Sequence, residues 1–140
     1  MRVPRPADAA DWWLRTAVGD LTAARSLLST PSAPARGAAQ FAHQAAERAL
    51  KAAIAASGEE PVRTHDLVFL TLRCDSALQR TMARIDIAVL SAVLSRSRYP
   101  EMDDPVISRD QATAWLADAQ EIVAAAAQHL NIDIESLAAS

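Results

Sequence analysis

Gln40-Phe41-Ala42-His43-Gln44-Ala45-Ala46-Glu47-Arg48-Ala49-Leu50-Lys51 is the stretch whose reading decides the fold. Set on a helix at about 100° per residue, its polar side chains gather on one narrow edge. Gln44, Glu47, Arg48 and Lys51 stand at i, i+3, i+4 and i+7, the spacing that stacks side chains along a single line. Around that edge, Phe41, Ala45, Ala46, Ala49, Leu50, Ala52, Ala53 and Ile54 form a wide apolar arc made mostly of alanine. Small residues let neighbouring helices approach on two or three sides. The pattern predicts the central helix of a bundle, with one polar margin.

The rest of the chain agrees with a helical body. At 140 residues it has the length of one domain with a real core. Apolar residues make up 51% and charged residues 22%, a globular composition with only three glycines. Abundant alanine and few aromatics favour helix over sheet. The net charge of −3 argues against nucleic-acid binding by a broadly basic surface, though not against a local patch. Cys74 stands alone, which excludes a disulfide framework and a zinc knuckle and reads as a small buried filler. Met1 to Pro6 carries no apolar run after its charges, so no secretory signal is expected there, and no stretch is long enough to span a membrane. A cytoplasmic protein is the expectation.

Working outward, residues 1–6 read as a loose arm, 7–132 as a single domain and 133–140 as a tail. A first helix starts near Asp8 or Asp11 and buries Leu14, Ala17, Leu21, Ala24 and Leu28 until Pro31 and Pro34 stop it. The central helix ends at Ser57-Gly58. Thr64 can cap a third helix that carries Asp66 in its first turn. A fourth, about Ala77 to Ser95, shows two apolar faces, Leu78/Met82/Ile85/Val89/Val93 and Ala83/Ile87/Leu90/Leu94. One core needs one face, so the second is expected to meet another subunit. Ser108-x-x-Gln111 has capping-box spacing and opens the last long helix.

Gln44-Ala45-Ala46-Glu47-Arg48-Ala49-Leu50-Lys51-Ala52, followed by Thr64-His65-Asp66-Leu67, resembles the HEPN domain family, whose corresponding helix reads roughly QAAEKALKA and is followed by THDL. Trp13, Ala17, Asp20-Leu21, Ala24 and Leu27-Leu28 fit that family's first helix, and Arg98-Tyr99-Pro100 fits its RYP element. The likeness spans about residues 11 to 130. It implies an all-α, up-and-down bundle of about five helices. It also implies a nucleotide- or RNA-binding bacterial protein that works beside a small nucleotidyltransferase in a toxin–antitoxin-like pair.

The candidate ligand-binding residues are therefore Gln44, Glu47, Arg48, Lys51, His65, Asp66, Arg98 and Tyr99. Arg48 and Lys51 suit phosphate, and Gln44 suits a base or sugar edge. An Arg98-Tyr99 pair could stack on a base. The plainer reading makes Glu47 and Lys51 a solvated i, i+4 pair, His65-Asp66 a local cap network, and Arg96 and Arg98 complements to a helix C-terminus. Asp20 is placed to pair with Lys51 or Arg48.

Ribonuclease members of this superfamily carry Arg-x4–6-His, but Arg98 is followed by Tyr-Pro-Glu-Met-Asp-Asp. The spacing from Arg36 to His43 matches only formally and lies at the front of the central helix. A non-catalytic binding and interaction protein is thus preferred. The alternative is a metal-independent ribonuclease toxin using Arg98 with His65 or Tyr99. No cofactor and no metal are expected, since His43, His65 and His129 lack ligand spacing. A homodimer is expected.

Overall fold

The computed structural model describes residues 5–98 and 101–138, with the side chain of Ala138 left aside. The described residues form helices and connecting turns, with no strand among them. The helices are α1 (Pro6–Leu28), α2 (Ala35–Ala56), α3 (Leu67–Leu72), α4 (Ser76–Thr81), α5 (Ile87–Arg98), α6 (Arg109–His129) and α7 (Ile134–Ala138). α2 is the hub, packing chiefly on α1 and α6 and also on α3 and α5. Every residue from Ala49 to Ala55 is buried, Lys51 included. Its alanines remove the side-chain bulk that would hold three neighbours apart.

The helix ends are set locally. Pro6 is tolerated at the start of α1 because its missing N–H would have no intrahelical partner there. The cap of α3 is Asp66, not Thr64: its carboxylate accepts from Val68 N and Phe69 N, while Thr64 Oγ1 accepts from Asp66 N. The Ser108/Gln111 capping box opens α6 as its spacing implies. α6 closes in a Schellman turn. Asn131, at φ 57°, donates to Gln128 O, and Ile132 N reaches back to Ala127 O.

The single fourth helix expected over 77–95 is instead two. The chain turns at residues 82–86, and Asp86 accepts from Val89 N to begin α5. The break rotates one half against the other. Leu78, Met82 and Ile85 from the first half and Leu90, Val93 and Leu94 from the second all enter one core. Ala83 and Val89 turn outward. Leu90 and Leu94, two residues of the face assigned to a subunit contact, are buried within this chain.

At the far end, α7 packs on α1 with Leu137 at 4% exposure, so ordered packing runs beyond residue 132. Arg109, at the head of α6, reaches across to the end of α1. Its guanidinium donates to Leu28 O, Thr30 O, Pro31 O and Ala33 O, collecting carbonyls at the helix end and in the α1–α2 turn. The result holds α1, α2 and α6 in one body and leaves the polar edge of α2 at the seam with α1.

Candidate functional site

α1 and α2 run antiparallel, so Trp13 and Asp20, two turns apart on α1, lie beside the two ends of the polar edge of α2. Asp20 Oδ1 accepts from Gln44 Nε2 at 3.0 Å, and both its oxygens accept from Arg48 Nη1 at 3.1 and 3.0 Å. Burial pushes the Asp20 carboxyl up from its ordinary value, with Arg48 and Gln44 pulling the other way. Between the two expected partners, the pairing falls to Arg48.

Glu47 is the second buried carboxylate. Its Oε2 accepts from Lys51 Nζ at 2.9 Å, and its Oε1 accepts from His65 Nδ1 at 2.7 Å. Lys51 lies over the Trp13 ring, 5.4 Å from its centroid. This is not the solvated i, i+4 pair of the plainer sequence reading, because the Lys51 and Glu47 side chains are 8% and 9% exposed. A charge held there depends on its partner, since neither can be hydrated fully. Arg48, at 32%, and His65, at 62%, are the members that solvent reaches.

The structure therefore brings Gln44, Glu47, Arg48, Lys51 and His65 together, with Asp20 as their counter-charge. Asp66 follows His65 in the chain, but its carboxylate is taken by the first turn of α3. Arg98 ends α5, and its charge is the smallest of the influences acting on His43. Gln40 Nε2 ties α2 to that helix end by donating to Ser97 O at 3.3 Å. Tyr99 and Pro100 lie outside the described residues.

His43 is the member of this corner that sequence reasoning passed over as a site residue. It is fully buried, and neither ring nitrogen has a hydrogen-bond partner. Burial pushes its pKa down to about 4, outweighing the attraction of Glu47. The imidazole is thus neutral near pH 7, and its 4.0 Å approach to Glu47 Oε1 is no ion pair. The sequence held one signal: His43 precedes Glu47 by one turn, between Ala42 and Ala46, at the border of the apolar arc.

Chemically, two buried carboxylates aim an imidazole and a guanidinium at the surface. Among the described residues, no group of three or more His, Cys, Asp or Glu side chains could hold a metal ion. No helix among them is long and apolar enough to cross a membrane.

A model of the HEPN domain fits residues 10–130. No curated protein and no solved structure matches the chain. With most of its length covered by that match, and with the all-helical architecture described above, the chain belongs to the HEPN domain family.

Proposed function

We propose that this HEPN chain is a nucleotide- or RNA-binding interaction protein without catalysis of its own, working beside a small nucleotidyltransferase in a toxin–antitoxin-like pair. Family membership supports a nucleotide- or RNA-related role in broad terms. The observation that supports ligand binding is the margin of α2; the partner and the pairing rest on the family resemblance. There, Arg48 and His65 reach solvent while Asp20 and Glu47 hold them from beneath. Side chains fixed in this way lose little freedom on meeting a phosphate. Gln44 and Lys51 complete the margin, and the sequence reading adds Arg98 and Tyr99 to it.

Calorimetric titration with AMP and with a short single-stranded RNA tests the reading. Arg48→Gln and His65→Gln are each expected to weaken binding by about tenfold, the loss of one charge-assisted hydrogen bond. Unchanged affinity in both would remove the margin from consideration. A homodimer remains the expected assembly, supported by the outward Val68, Phe69 and Leu72 of α3 and Val89 of α5. Light scattering of the purified chain reads that directly.

One observation favours the ribonuclease reading. His65, exposed and backed by a buried carboxylate at 2.7 Å, has the arrangement of a proton-transfer group. In that case the wild type cuts RNA in the presence of a metal chelator, and Arg98→Ala abolishes the cutting.

A further inference from the structure

The first turn of α2, the C-terminal part of α5 and the loop 104–107 enclose a cleft of about 280 Å³. Arg36, Arg96, Asp104, Pro105, Val106 and Ile107 are among its walls. Two guanidiniums stand there against one carboxylate, and that carboxylate already accepts from Glu101 N at 2.8 Å. Arg96 is anchored by donating from Nη2 to Pro105 O at 2.9 Å, while its Nε is buried with no partner. A charged group's buried N–H with nothing to donate to is costly, and the fold bears that cost at this wall.

α2 starts at the same wall. Pro34, at its cap position, supplies no side-chain acceptor, and the first turn holds no acidic residue, so the positive end of the helix is left uncompensated. The margin of α2 differs in this respect, because Arg48 and Lys51 are matched there by Asp20 and Glu47.

We propose that this cleft binds a phosphate group, with Arg36 and Arg96 as its cationic walls. A phosphate monoester fits the chemistry, since several acceptor oxygens on one centre suit guanidinium forks. The volume falls just under the roughly 300 Å³ at which clefts for whole drug-sized ligands begin. It is large enough for a phosphate group and open enough for the rest of a nucleotide to extend from it. Arg36 and Arg48 are about 18 Å apart along the helix axis, so the cleft goes beyond the α2 margin and is tested separately from it.

The test is calorimetry at low salt with inorganic phosphate, AMP, adenosine and a hexaribonucleotide with or without a 5′-phosphate. Phosphate and AMP are expected to bind and adenosine is not. Arg36→Gln and Arg96→Gln each weaken AMP by about tenfold, and Asp104→Asn tightens it. Arg36 is exposed, so its replacement leaves folding out of the comparison. Preference for the 5′-phosphorylated RNA over AMP identifies an RNA end as the source of the phosphate, and the reverse preference identifies a free nucleotide. Adenosine binding as well as AMP, or AMP binding untouched by Arg36→Gln, overturns the proposal. Loss of AMP binding in Arg48→Gln with full binding in Arg36→Gln also overturns it and leaves the margin reading standing. Loss in Arg36→Gln with none in Arg48→Gln upholds the cleft and counts against the margin.

Discussion

Glu47 serves two partners with one carboxylate, and its burial makes the arrangement unforgiving. Glu47→Ala leaves the Lys51 ammonium buried over Trp13 with no counter-charge, an outcome that costs about 3–5 kcal/mol. Replacing both members, Glu47→Leu with Lys51→Met, removes the two desolvated charges together and is expected to cost far less than the single change. Chemical denaturation of the three proteins checks the contrast, and a double variant no better than Glu47→Ala would contradict it.

His43 adds a pH dependence of known sign. Its folded pKa of about 4 lies below the ordinary 6.5, so between those values the unfolded chain binds the extra proton. Stability is full above about pH 6.5 and declines as pH falls toward 4, by about 3 kcal/mol in all. Asp20, raised by burial, contributes a slope of opposite sign as its own pKa is approached. His43→Leu isolates the histidine's part. The variant should lose that acid-side decline, and should be no less stable than wild type near neutral pH, because two buried nitrogens without partners disappear with the ring. Unfolding free energies measured from pH 7 to pH 4 decide the point.

Among the elements, α6 does more than fill the core. Arg109 gathers four carbonyls from the end of α1 and the turn after it, a task that needs the planar fork of a guanidinium. Arg109→Ala is expected to cost about 2–3 kcal/mol, and Arg109→Lys to recover less than half of that. Thermal melts of the two variants test this, and equal stability of Lys and Arg at the position would contradict the forked geometry. The link escapes sequence reading because its partners are backbone atoms some eighty residues away, which carry no residue-type signal. The turn at 82–86 escapes it for a related reason. Met82-Ala83-Arg84-Ile85-Asp86 has neither glycine nor proline, so the only mark of the break is Asp86 as a helix-starting residue. The two apolar faces that looked like a core and a contact surface were largely one core face cut and rotated.

Over the whole molecule, the central helix and its edge were legible because both follow from spacing within one short segment. The i, i+3, i+4, i+7 pattern put Gln44, Glu47, Arg48 and Lys51 on one line, and the structure keeps them there. Their depth was not legible. Whether Lys51 meets water or Trp13 depends on how α1 crosses α2 and where the connector drops His65, which are properties of the assembled body. The same holds for His43, whose burial turns a polar residue of the central helix into a neutral core ring.

The central claim is that buried Glu47 holds His65 at a ligand-facing margin of α2. The chain has three histidines, His43, His65 and His129, and they occupy distinct surroundings: a sealed core, the margin, and the exposed end of α6. Following their ring-proton NMR signals while AMP or a short RNA is titrated reads the claim most directly. The account predicts a saturable shift of His65 with His129 unmoved. Saturation of binding with the His65 signal unmoved would contradict it.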